Sequence, residues 1–157
     1  QEPIYSQEYT TDMYYKGSWM LHTLRTVFQN DSVWHNILTG IQKDFRHKNV
    51  NTIDVINYIN MHYQYDLGAF FEQYLFNSKI PVFEYFFTQH KGKTVLHFKW
   101  NAISSNFDMP LLAKIDNNKY SWIYPISEWK KIYLTDIKMQ DFKIAEDLFL
   151  IEIDRVQ

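Results

Sequence analysis

Apolar residues recur at helical spacing in the first half of the chain and at alternate positions in the second, with the change near Lys79. Met20, Leu24, Val27 and Phe28 mark one face of a helix from about Tyr14 to Gln29. Trp34, Ile37, Leu38, Ile41 and Phe45 mark a second, opened by the Asn30-Asp31-Ser32 cap signal. Thr52-Ile53-Asp54-Val55 opens a third, along which Ile53, Ile56, Ile59 and Tyr63 recur. Asp66 is the candidate N-cap of a fourth, whose stripe is Phe70, Phe71, Tyr74 and Leu75. Short helices with short connections predict a helical bundle or solenoid.

After Lys79 the period becomes two. Pro81 to Phe87 reads as a strand that begins at a proline, where a missing N–H is tolerable. His90-Lys91-Gly92-Lys93 is a turn, and Thr94 to Trp100 returns with Leu96, Phe98 and Trp100 on one face. Met109 to Ile115 and Tyr120 to Ile126 are two further strands around a turn at Asp116-Asn117-Asn118-Lys119. Leu148 to Ile153 is the last, with Phe149, Ile151 and Ile153 turned inward. The predicted fold class is α+β, a helical bundle over residues 1–78 followed by a small antiparallel β-sandwich over residues 79–157.

Composition narrows what this fold can do. The 157 residues include 12 Phe, 12 Tyr and 5 Trp but only 4 Gly and 4 Pro, which argues against disorder and low complexity. A chain of this size buries roughly 70% of its unfolded surface. Net charge is −2, with five basic against eight acidic residues up to Ser78 and eleven against ten after it. Neither part is a basic footprint, so no nucleic-acid partner is expected, and a DNA-binding helical domain is disfavoured. No cysteine is present, which excludes disulfides, thiolate catalysis and Cys-ligated zinc. No apolar run approaches the roughly 18–20 residues of a membrane span, and no signal-peptide core appears. The chain begins Gln1-Glu2-Pro3 rather than with methionine, which suggests a processed or excised piece.

Candidate chemistry is sparse. The six histidines, at 22, 35, 47, 62, 90 and 97, include no i, i+4 pair with a carboxylate nearby, and His90 with His97 makes only two ligands. Surface histidines are the simpler reading. There is no Gly-x-Ser-x-Gly elbow, Ser104-Ser105 has no partner that spacing identifies, and no glycine-rich phosphate loop exists. Trp100, Trp122 and Trp129 suit sugar or base stacking, although core packing is the commoner use of such residues. That leaves residues 13–25, where two tyrosines open a helix and Lys16-Gly17 follows at once. Glycine in a helix costs about 1 kcal/mol against alanine, a cost that close approach of a ligand or backbone would explain. A tyrosine there presents an O–H suited to a developing oxyanion, though packing is the commoner role of tyrosine.

Tyr14-Tyr15-Lys16-Gly17, continuing through Trp19-Met20-Leu21 and Leu24-Arg25, resembles the Tyr-x-Lys-Gly segment of the aminopeptidase N-like zinc metallopeptidases, the gluzincins. Further landmarks follow in the family's order. Thr52 to Phe71, with Asp66-Leu67-Gly68-Ala69-Phe70-Phe71, looks like its closing helices, which typically end in Phe-x-x-Trp. Lys79-Ile80-Pro81-Val82 is similar to the Gly-x-Pro that begins its β-sandwich domain, and Trp122 to Ile126 resembles its Trp-x-x-Pro strand. Tyr74 stands where many members carry tryptophan, and Lys79 where many carry glycine.

The resemblance implies that Tyr14 is the tyrosine whose hydroxyl stabilises the tetrahedral intermediate, with Tyr15 at the variable position. It also implies a larger parent that removes N-terminal residues from peptides with zinc-bound water activated by a glutamate. The family's His-Glu-x-x-His helix and its Met-Glu-Asn strand do not occur in residues 1–157. The expectation is therefore a C-terminal piece of a zinc aminopeptidase, inactive alone, with no cofactor of its own and zinc in the full-length parent. Its partners would be the peptide substrate and the missing N-terminal catalytic half. The first helix should show an uncovered patch around Tyr15 and Trp19, or a homodimer or crystal contact over it. Of the two compartments, the bacterial periplasm or cell envelope is favoured over the cytoplasm. The competing expectation is a non-catalytic module that binds peptide or glycan through exposed aromatics.

Overall fold

A computed structural model describes residues 12–63, 65–116, 119–135 and 137–156. Gln1-Glu2-Pro3, and Asn117-Asn118 at the centre of an expected turn, lie outside the described residues. Among the described residues four helices come first: α1 (Asp12–Phe28), α2 (Asp31–Asp44), α3 (Thr52–His62) and α4 (Gly68–Leu75). Side chains fix their starts. Asn30 Oδ1 accepts from Ser32 N and Val33 N at 3.0 and 3.2 Å, which opens α2. Asn51 and Asp54 form a reciprocal capping box on α3. The fourth helix starts one residue later than expected: its cap position is Leu67, which is buried and makes no side-chain cap bond, while Asp66, the expected cap, accepts from Gly68 N at 2.8 Å from just ahead of it.

Seven strands follow among the described residues: β1 (Val82–His90), β2 (Lys93–Asn101), β3 (Leu111–Lys114), β4 (Tyr120–Ile123), β5 (Lys130–Tyr133), β6 (Lys143–Ile144) and β7 (Glu152–Arg155). They form a four-stranded sheet in the order β5-β2-β1-β7 and a three-stranded sheet in the order β4-β3-β6. The β1–β2 hairpin closes through Lys91 and Gly92, both at positive φ (49° and 75°), as a two-residue turn matched to strand twist requires. The fold is α+β, as the change of period predicted, with β5 and β6 as additional strands and two further differences in detail. β7 lies parallel to β1, with Val82 opposite Glu152, so the four-stranded sheet is mixed. The chain reaches that edge by crossing over from the other sheet, not through a hairpin. The last strand also begins later than its apolar alternation suggests, because residues 146–148 form a 3-10 turn.

Inward-facing Phe83, Leu96, Phe98 and Trp100 share one apolar cluster with Leu111, Ala113 and Ile123 of the second sheet. The same cluster continues into Leu24, Phe28, Phe70, Phe71 and Tyr74 of the helices. A buried polar seam then ties helices to strands. Gln73 Oε1 accepts from Ile103 N at 2.8 Å and Ser104 N at 3.2 Å, while its Nε2 donates to Lys79 O at 2.8 Å. Tyr74 donates its hydroxyl to Leu150 O, and Leu150 N donates to Thr23 Oγ1, each at 2.8 Å. Burial holds the Tyr74 phenol far above the usual tyrosine pKa, so it stays a donor. Each such bond nets about 1 kcal/mol, but orphaning one partner costs about 1–3 kcal/mol, so the seam fixes how α1 and α4 sit on the sheets.

Candidate functional site

The first turns of α1 carry the residues singled out by the sequence, and the helix periodicity sorts them. Met20, Thr23, Leu24, Val27 and Phe28 turn inward and are buried. Tyr14, Ser18 and Leu21 form one outward stripe, and Tyr15, Trp19 and His22 form a second. Tyr14 is 76% exposed, Tyr15 66% and Trp19 41%. An uncovered aromatic face on α1 is therefore present. The Trp19 and His22 rings meet edge to face at 5.7 Å, and a shallow pocket lies over Ser18, Trp19 and His22.

The two residues after the tyrosines have different work. Lys16 lies two positions from Tyr14, about 200° around the helix, and so faces the body of the protein. Its Nζ donates to Asn77 O at 2.7 Å, beyond the end of α4, and burial pushes its pKa below the ordinary lysine value. The lysine thus pins the start of α1 to the junction of helices and strands, a role that spacing alone did not reveal. Gly17 sits where an added Cβ would meet nothing within 4 Å. Internal packing therefore gives no reason for this glycine. Gly17→Ala is expected to stabilise the chain by about 1 kcal/mol through helix propensity. Urea denaturation measures it, and a destabilised variant would mean that something unseen covers the position.

The remaining candidates do not assemble into chemistry. His97 lies opposite Phe86, stacked on it at 4.5 Å, and its Nε2 bonds Thr88 Oγ1 at 2.9 Å. His90 lies on β1, four residues beyond Phe86 and so roughly 13 Å along the strands from the level of His97, and the pair does not converge. His62 stacks on Tyr58 and bonds its carbonyl oxygen at 2.8 Å. Among the described residues no group of three His, Asp or Glu side chains is placed to hold a metal ion, so the residues present do not fit a zinc site. Ser104 donates to Glu72 Oε2 at 2.6 Å and is buried, a bond within the seam. Trp100 is core, Trp122 packs edge to face on Phe149, and Trp129 stays exposed with Lys99 Nζ 4.9 Å from its ring centre. Gln73 and Thr23 escaped the sequence reading. Their one signal was a polar residue at a buried position beside an apolar stripe.

No protein-family model matches this sequence, and no curated protein matches it. Among solved structures, that of Legionella pneumophila aminopeptidase A in complex with aspartic acid matches 93% of this chain with a TM-score of 0.74. In fold, this chain is similar to a segment of an aminopeptidase. Sequence identity across the match is 15%, and the chain spans 18% of that protein's length. The likeness therefore concerns the fold, and it covers helices and strands together. Among the described residues no helix is long and apolar enough to cross a membrane.

Proposed function

We propose that this chain is the C-terminal portion of a zinc-dependent aminopeptidase and contributes Tyr14 to its active site. The observation that carries the reading is the outward face of α1. The Tyr-x-Lys-Gly segment divides into a phenol aimed at solvent, a lysine anchored to Asn77 O and a glycine with open space beside it. That arrangement suits a helix whose first turn completes a cleft with another body. The fold likeness to an aminopeptidase supports it.

In this reading Tyr14 donates its O–H to the oxygen that gains negative charge when a peptide carbonyl is attacked. A phenol suits the task because it brings a donor without bringing a charge. Lys16 is a positioning residue, holding the first turn of α1 against the junction so that the phenol is presented from a fixed backbone. In this reading zinc belongs to the proposed N-terminal half. The peptide substrate and that missing half are the proposed partners, and a second copy over α1 is the alternative cover.

The chain by itself is expected to bind no stoichiometric zinc and to release no aniline product from aminoacyl anilides. Metal analysis after dialysis and a chromogenic assay measure both, and either signal above background contradicts the reading. A second reading, a non-catalytic module for peptide or glycan, draws on one observation. Trp129 is exposed beside Phe86, His97 and Lys99 on the outer face of the four-stranded sheet, a surface on which a sugar or peptide group could stack. That reading requires binding that Tyr14→Phe leaves unchanged.

A further inference from the structure

At the opposite end of α1 from Tyr14, roughly 20 Å along the helix, the chain turns at Gln29 with φ 54°. There a cleft of 320 Å³ opens between the helices and the segment that leads into β3. Aromatic rings form its walls. Tyr63 and Tyr65 follow α3 with their ring centres 5.5 Å apart, Phe70 comes from α4, and Tyr124 follows β4. Tyr63 is held in place by donating its hydroxyl to Val27 O at 3.1 Å, whereas Tyr65 and Tyr124 are exposed.

The charged side chains of the cleft share one sign. Asp66 and Asp108 both line it, and both also line an adjoining polar cavity of 250 Å³ with Glu72 and Ser104. Among the described residues neither aspartate forms an ion pair. Burial raises the Asp108 carboxyl above the usual aspartate range, its own backbone opposes this, the charge of Asp66 adds to the rise and Lys130 opposes it. Lys130 is the nearby cation, with its Nζ committed to Tyr124 O at 2.7 Å. The last residues of α1, Val27 and Phe28, also border the cleft, so the partly negative C-terminal end of that helix lies beside it.

Aromatic faces, two carboxylates and a helix C-terminus each favour a cation, and together they favour a flat one. A guanidinium stacks on a phenol ring while its fork of N–H groups pairs with carboxylate oxygens; an ammonium is a compact point charge that stacks less well. A volume of this size accepts a long side chain along with part of its backbone. We propose that the cleft between the C-terminal end of α1 and Tyr124 binds an arginine side chain presented by a partner peptide, with Asp66 and Asp108 as its counter-charges. The assignment uses no property of Tyr14 and stands or falls apart from the aminopeptidase reading.

The test is a titration of the chain with N-acetyl-arginine amide, followed by NMR chemical shifts, with the uncharged isostere N-acetyl-citrulline amide alongside. Saturable shifts confined to residues around Tyr65 and Tyr124 are expected, with the citrulline compound at least about tenfold weaker, since a charge-assisted bond is lost. The double variant Asp66→Asn, Asp108→Asn should weaken arginine binding by about tenfold or more. It should also fold. The amide oxygen introduced at position 66 can still accept from Gly68 N, and Asp108→Asn removes only a carboxylate that burial disfavours. A thermal melt checks that. Equal binding of the two compounds, unchanged binding by a folded double variant, or no saturable binding overturns the assignment.

Discussion

Trp100→Ala is expected to remove about 4–8 kcal/mol of stability. Trp100 is 1% exposed near the end of β2, edge to face with Phe83 at 5.7 Å and Phe107 at 5.2 Å. Truncating a buried tryptophan typically costs about 3–5 kcal/mol through lost transfer energy and the cavity left behind. Here its Nε1 also donates to Met109 O at 2.9 Å, so the substitution strands a buried carbonyl at about 1–3 kcal/mol more. Domains of this size are stable by about 5–15 kcal/mol, so the loss is a large share of the whole. Urea denaturation of the variant measures it. A loss below about 2 kcal/mol would mean that the sheets do not pack around this ring as described.

Trp100 draws these contacts from strands and their connections, whereas the seam between helices and strands was the part of the fold least legible in the sequence. Long periodic segments could be read directly, because burial of one face dictates spacing. Leu24, Val27 and Phe28, and then Leu96, Phe98 and Trp100, are buried as their periodicity required. β6 escaped notice because two residues carry too little pattern to register, and β5 because Lys130-Lys131-Ile132-Tyr133 has no buried apolar face. The parallel docking of β7 on β1 was invisible for another reason. Alternation tells which face of a strand is buried and says nothing about which edge receives it.

The candidate site divides in the same way. A glycine inside a helix, two adjacent tyrosines and a lysine could be seen in sequence; that both tyrosines face outward and what the lysine holds could not. Lys16 finds its partner in Asn77 O, 61 residues away, a separation that no local pattern encodes. The aromatic cleft is an extreme case, since Tyr65, Asp108 and Tyr124 come from three connections between elements and converge only after the core has formed.

Tyr14→Phe in the full-length enzyme carries the largest expected functional effect. The substitution deletes one oxygen from a side chain that is mostly in water, so stability should change by no more than about 0.5 kcal/mol. Catalysis should respond very differently. Removing a donor that meets the oxyanion only in the transition state costs about 10²–10³ in kcat, or about 3–4 kcal/mol. KM should stay nearly constant, because the lost bond is not made to the ground-state substrate. Tyr15→Phe is the internal control, with a ring on a different stripe of α1 and no assigned contact with the reacting group. The deciding measurement is therefore steady-state hydrolysis of an aminoacyl anilide by the wild-type enzyme and its Tyr14→Phe variant, compared at matched zinc content. The account predicts a kcat at least about a hundredfold lower with KM unchanged; a kcat within about twofold of wild type would contradict it by removing Tyr14 from the reaction.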